Sequence, residues 1–243
     1  MSLYQHTYQH SIEQPDTFWA EQAQRVPWYT PPSAILTYDD QQHARWFGDG
    51  ELNICYAAID CHVEQGRGDH PAIYWDSPVT QSKQTISYLE LRDRVARFAG
   101  GLAKLGVTKG DRVIIYMPMV PEALIAMYAC ARLGAVHSVV FGGFAPHELA
   151  ARIEDAEPKV VIAASCGVEV DKVLPYKPIV EKAISLSSFK PDACVVFQRE
   201  AHRAELQPSD VDWHELVADA PFVDCVPVKA TDPLYVLYTS GTT

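Results

Sequence analysis

Tyr238-Thr239-Ser240-Gly241-Thr242-Thr243 gathers three threonines, a serine and a glycine directly behind an apolar run. Small residues let backbone N–H groups approach a polyphosphate, and hydroxyls can bond phosphate oxygens or a Mg²⁺ ion. Ser/Thr/Gly clusters are by themselves ordinary turns, so the context decides. Asp232-Pro233 is a turn signal, and Leu234, Tyr235, Val236, Leu237 and Tyr238 are strand formers. The order predicts a turn, a buried strand and then a phosphate-binding loop at Thr239, Ser240, Gly241, Thr242 and Thr243. The run lacks the Gly-x-x-x-x-Gly-Lys-[Ser/Thr] spacing of P-loop ATPases, so another kind of phosphate loop is required.

A second candidate is Phe141-Gly142-Gly143-Phe144, read either as a tight strand-to-helix turn or as a ligand-facing loop. It does not match the dinucleotide-binding Gly-x-Gly-x-x-Gly spacing. His137, in an apolar strand, reads as a hydrogen-bonded core histidine rather than a catalytic base. His6 and His10 stand four apart, but with no acid or cysteine nearby they read as a solvated terminus. Arg199, Glu200, Arg203 and Glu205 read as a solvated face without a function.

The elements that must position these loops have local signatures. Ser87 and Glu90 have capping-box spacing ahead of Leu91, Val95, Phe98, Leu102 and Leu105, which predicts an amphipathic helix ended by Gly106. Val113-Ile114-Ile115 predicts a strand buried on both faces. Pro121 opens a second helix, apolar nearly all round, that stops at Gly134. Further along come a strand from Val136 to Phe141, a helix from Pro146, a strand from Val160 to Ala163, a helix near 178–187, a strand from Cys194 to Phe197 and a helix opened by Asp212. This alternation predicts an α/β fold with a doubly wound, largely parallel sheet, which binds ligands beyond the carboxyl ends of its strands. Residues 1–70, with aromatic anchors broken by prolines, read as an extension packed on a main body formed by 71–243.

The chain has 243 residues, 48% hydrophobic and 21% charged, with a net charge of −11, so it is globular and carries no surface suited to nucleic acid or an anionic membrane. Six cysteines without Cys-x-x-Cys or zinc-like His spacing read as buried free thiols in a reducing compartment. No run of about 18 apolar residues and no signal or transit pattern is present, which predicts a cytoplasmic protein.

Taken together, several segments resemble the AMP-forming acyl-CoA synthetase family, the adenylating superfamily. They are Gly106-Val107 with Lys109-Gly110-Asp111-Arg112-Val113, Met117-Pro118 with Pro121-Glu122, Ala129-Cys130-Ala131-Arg132-Leu133-Gly134-Ala135-Val136, and the terminal loop. His137-Ser138-Val139-Val140-Phe141-Gly142-Gly143-Phe144 is similar to the short-chain branch. Ala44-Arg45-Trp46-Phe47, Asp76-Ser77-Pro78-Val79-Thr80 and Tyr176-Lys177-Pro178 look closest to propionyl-CoA synthetases.

The resemblance implies a ligase that uses ATP, Mg²⁺ and CoA to convert propionate, or next acetate, to acyl-CoA through an acyl-adenylate. It assigns Thr239 to Thr243 to the ATP phosphates and Phe141, Gly142 and Gly143 to the CoA path. Where the acetyl branch grips the CoA phosphate with two arginines, this sequence has Glu169-Val170-Asp171-Lys172, leaving Lys172 as the contact and two opposing carboxylates; Arg152 is a spare candidate. The family's loop lysine, acyl pocket and catalytic lysine have no match, so no catalytic residue is assigned and the 243 residues alone are expected to be inactive, as an amino-terminal fragment. A short non-catalytic nucleotide- or subunit-binding protein, and an adenylation domain serving a carrier protein, are the competing readings.

Overall fold

A computed structural model describes residues 2–170 and 172–239. In chain order its elements are α1 Leu3–Glu13, α2 Pro15–Ala23, β1 Leu36–Tyr38, β2 Ala44–Trp46, β3 Glu51–Leu52, β4 Pro71–Ser77, β5 Ser82–Ser87, α3 Tyr88–Lys104, β6 Arg112–Met117, α4 Pro121–Leu133, β7 Val136–Phe141, α5 Pro146–Ala156, β8 Val160–Ala164, β9 Cys166–Val168, β10 Val173–Pro175, α6 Lys177–Leu186, β11 Ala193–Phe197, β12 Asp210–Asp212, α7 Trp213–Ala218 and β13 Val228–Lys229. Two π-helical turns, Tyr56–Asp60 and Val63–Arg67, link β3 to β4.

The central sheet has the order β12-β11-β8-β6-β7, and every pairing in it is parallel. β6, β8 and β11 are nearly continuous apolar runs because both of their faces are covered, as the sequence predicts. α3 packs on α4 and α7, and α5 on α6. The chain steps from β6 to β7 and then back across β6 to β8, so α4 and α5 lie on opposite faces and the sheet is doubly wound. Phe98 of α3 stacks on Trp213 of α7 with ring centroids 3.6 Å apart.

The local signals operate as predicted. Ser87 and Glu90 form the capping box of α3, Asp212 accepts the His214 and Glu215 amides at the start of α7, and Gly134 closes α4 at φ 70°, which suits glycine. The sequence reading missed the antiparallel hairpins β4–β5 and β9–β10. β5, Ser-Lys-Gln-Thr-Ile-Ser, is mostly polar because only alternate residues face inward, and β9 and β10 are three residues each, too short for a period to emerge.

One element is corrected. Leu234 to Tyr238 do not form a buried strand among the described residues: they meet the edge of β7 in a single parallel bridge, His137 with Tyr235. The His137 amide donates to the Leu234 carbonyl at 3.3 Å and the Val236 amide to the His137 carbonyl at 2.9 Å. Tyr235 and Leu237 remain 56% and 66% exposed. Exposed side chains such as these give burial little part in extending the ladder beyond that bridge.

Candidate functional site at the carboxyl edge of the sheet

β7 ends at Phe141, and α5 begins at Pro146, so Gly142 and Gly143 turn the chain just beyond the carboxyl edge. Gly143 adopts φ 119°, a conformation L side chains rarely take. Its amide donates to the Tyr116 hydroxyl at 3.0 Å, and that hydroxyl donates to the Phe144 carbonyl at 3.0 Å. Tyr116 is fully buried in β6, and burial raises its phenol pKa, so the group stays neutral and keeps its proton for Phe144.

Tyr176 packs on the other side of the loop, with its ring 4.9 Å from that of Tyr116. A Cβ on Gly142 would lie 2.7 Å from the Tyr176 hydroxyl and 3.0 Å from the Met117 carbonyl, and a Cβ on Gly167 would overlap the same hydroxyl. Tyr176 therefore joins the Gly142-Gly143 turn to the β9–β10 hairpin, whose tip carries Lys172. Burial, then the charges of Tyr116 and Glu169, push the Tyr176 phenol up to about 12. Lys172 is exposed and paired with Glu169 at 3.2 Å, the opposition expected from the sequence, while Asp171 lies outside the described residues.

Arg152 of α5 lies over the Phe144 ring at 5.0 Å and the Tyr238 ring at 4.9 Å. Its Nη1 donates to the Glu148 carbonyl at 2.7 Å and pairs with the Glu148 carboxylate at 3.1 Å, while the Tyr238 hydroxyl bonds Asp155. Such cation–π contacts strengthen as the cation is desolvated. Arg152, which no motif singled out, thus bridges the glycine turn and the residue that precedes Thr239. Thr239 is exposed, and Ser240, Gly241, Thr242 and Thr243 lie outside the described residues.

Other sequence readings shift. His137 is buried, but its Nδ1 has no hydrogen-bond partner, and burial alone lowers its pKa to about 4, so it is a neutral core histidine without the expected bond. Arg199 is half-buried rather than solvated: its Nη1 donates to the Cys166 carbonyl at 2.9 Å. It lines a cleft of about 490 Å³ with Glu122 and His214. Burial raises the Glu122 pKa against the opposing charges of Arg94, His214 and Arg199.

The Cys55, Asp60 and Cys225 side chains converge within 4.8 Å, the one grouping of potential metal ligands among the described residues. Arg132 already holds the Asp60 carboxylate with its Nη1 and Nη2, at 2.8 and 3.0 Å, so a cation entering there would have to displace a cation.

Comparison with known proteins agrees with this architecture. The family described as AMP-binding enzyme matches residues 61–243, and the family described as acetyl-coenzyme A synthetase N-terminus matches residues 4–58. An uncharacterized Pseudomonas aeruginosa protein is 57% identical over 235 residues, covering 96% of this chain and 37% of its own. Human acyl-CoA synthetase short-chain family member 3, mitochondrial, is 48% identical over 235 residues, covering 96% and 34%. An acetyl-coenzyme A synthetase of Yersinia pestis is 45% identical over 249 residues, covering 99% and 38%. The solved acetoacetyl-CoA synthetase of Streptomyces lividans superposes with a TM-score of 0.89 at 27% identity, over 100% of this chain and 37% of that one. The chain thus spans little more than a third of the length of the relatives it matches. With the parallel sheet, the glycine turn and both family segments in register along it, the chain belongs to the AMP-binding enzyme family.

Proposed function

We propose that these residues form the first part of the ATP- and CoA-binding body of a short-chain acyl-CoA synthetase acting on propionate, with acetate next. The observation that carries this reading is the glycine turn at the carboxyl edge, clamped by Tyr116 and tied through Arg152 to Tyr238, immediately before the hydroxyl-rich loop. The short-chain names of the relatives support the reaction class.

In this reading Thr239, Ser240, Gly241, Thr242 and Thr243 hold the ATP phosphates with Mg²⁺, and Phe141, Gly142 and Gly143 line the CoA path. The turn fits a ligand backing onto it: a Cβ on Gly143 would meet only Phe141, at 3.7 Å, so its outer face is open to a close approach. ATP supplies the electrophilic phosphorus and CoA the thiol. The chain's own residues bind and orient: Tyr116 fixes the turn, Tyr176 fills the space behind it, and Arg152 links the Tyr238 ring to that of Phe144. Lys172 reaches a CoA phosphate only after giving up Glu169. A division into an extension, 1–70, and the opening of the large domain, 71–243, belongs to the same proposal, as does a cytoplasmic, reducing location, supported by six free thiols.

The test is AMP release by the complete protein that carries this sequence, with ATP, CoA and either propionate or acetate. A higher kcat/KM for propionate is expected. Preference for acetate would overturn the propionate assignment, and no adenylate with either acid would overturn the synthetase reading. The 243 residues alone are expected to release no AMP; propionate-dependent release by them would refute that.

A further inference from the structure

Cys55 and Cys225 are far apart in the chain, on the turn after β3 and on the strap between α7 and β13, yet their sulfurs and the Asp60 carboxylate converge within 4.8 Å. Both thiols donate to Asp60 Oδ2, Cys55 at 3.9 Å and Cys225 at 3.8 Å. The Arg132 Nη1 lies 3.5 Å from the Cys55 sulfur. The arrangement is braced: Asn53 Nδ2 donates to the Ala131 and Val226 carbonyls at 2.8 Å each, the Val226 amide donates to the Arg132 carbonyl at 2.8 Å, and Arg132 Nε donates to the Val223 carbonyl at 2.6 Å. Two thiols, a carboxylate that can pass on their protons and a guanidinium that can hold negative charge on sulfur form a dithiol site, one that binding and family membership do not explain.

We propose that Cys55 and Cys225 are an oxidative modification site that closes to an intramolecular disulfide in the presence of hydrogen peroxide. Cys225 is half-buried and Cys55 fully buried, so Cys225 is the sulfur a small peroxide reaches. The Cys225 sulfur attacks the peroxide, an S–O bond forms, the O–O bond breaks, and the departing hydroxide leaves as water with the thiol proton. The Cys55 sulfur then attacks the Cys225 sulfenic acid; the S–S bond forms, the S–O bond breaks, and the second hydroxide leaves as water with the Cys55 proton. Two thiols lose two electrons and two protons, and one peroxide becomes two waters.

Arg132 steadies the Cys55 sulfur during the second attack, and Asp60 relays the protons. The hydrogen bond to Cys55 and burial raise the Cys225 pKa well above the ordinary thiol range, so little thiolate is present at neutral pH and the first step is slow. The second is favoured by the fixed proximity of the two sulfurs. This inference is independent of the synthetase reading: it rests on the dithiol geometry and stands whether or not the protein activates a carboxylate.

The test uses the intact reduced chain. After incubation with hydrogen peroxide, the protein is unfolded and alkylated, and its peptides are mapped. The expected result is one cross-linked peptide pair, Cys55 to Cys225, with four of the six thiols still alkylated. A thiol reductant should reverse it, and Tm should rise by about 5 °C or more because the bridge closes a long loop. C225S should keep its five thiols alkylatable and show no rise in Tm. Peroxide that leaves both thiols alkylatable, links another pair, or stops at a Cys225 oxyacid with Cys55 free would overturn the proposal. So would stoichiometric binding of added Zn²⁺ that protects both thiols, because that would make the cluster a metal site. The mapping on the unsubstituted chain decides the matter even where C225S does not fold.

Discussion

The Tyr116 hydroxyl accepts the Gly143 amide and donates to the Phe144 carbonyl, so one buried phenol satisfies both ends of the glycine turn. A bond between β6 and the loop after β7 fixes the turn more firmly than the glycine sequence can. Tyr116→Phe keeps the ring and strands both backbone groups, at a cost of about 1–3 kcal/mol. Urea unfolding checks this as a lower midpoint with an unchanged slope. On the proposed reading, in which Gly142 and Gly143 line a CoA path, the same change in the full-length protein should raise the KM for CoA more than it lowers kcat.

Gly142→Ala drives a Cβ to 2.7 Å from the Tyr176 hydroxyl and 3.0 Å from the Met117 carbonyl, and overpacking there should cost about 1–3 kcal/mol. Tyr176→Ala vacates part of that space, so the double variant should be more stable than the sum of the single effects predicts. Strict additivity in thermal unfolding would show that Met117, not Tyr176, limits the turn.

Arg132 and Asp60 form a buried bidentate pair, and each is the other's main partner. Removing one partner leaves a buried charge, so Arg132→Leu should cost about 3–5 kcal/mol. Arg132→Leu with Asp60→Leu should recover much of that loss. Equal midpoints for the single and double variants in denaturant would argue that Arg132 acts mainly through its bond to the Val223 carbonyl.

His137 titrates near its ordinary 6.5 when unfolded and at about 4 when folded, because burial disfavours its charged form. Between those values the unfolded chain binds more protons, so stability falls as pH drops from 6.5 to about 4, by about 3 kcal/mol in all. Glu154 acts in a lower window: the Ser188 and Ser187 hydroxyls hold it down to about 2, and its contribution is lost as pH falls below 4.5. Urea midpoints from pH 7 to 4 should slope for the natural chain and flatten for His137→Leu. An unchanged slope in that variant would assign the loss to other groups.

The helices and parallel strands were legible because their signals are local. A capping box at Ser87 and Glu90, prolines opening α4 and α5, and the apolar runs of β6 and β8 act within a few residues. The hairpins β4–β5 and β9–β10 were not, since one face of β5 is polar and solvated and β9 is too short for a period to emerge. At the site, Gly142 and Gly143 were visible as glycines, and Lys172 as a charge opposed by Glu169. Tyr116 was hidden among the hydrophobic residues of β6 because a phenol that bonds one distant amide leaves no spacing in the sequence.

What the sequence by itself determined is the order of helices and strands, the parallel sheet that this order requires, and the loops at its carboxyl edge. The periodicities of 3.6 and 2, the caps and the turn residues are written into neighbouring positions. Only the tertiary structure decided that Tyr116 and Tyr176 close on the glycine turn, that Arg152 joins Phe144 to Tyr238, that Cys55 meets Cys225 beside Arg132, and that residues 234–238 make one bridge rather than a buried strand. Each of these depends on which surfaces remain to be covered once the sheet has formed, and burial and packing between distant residues settle that.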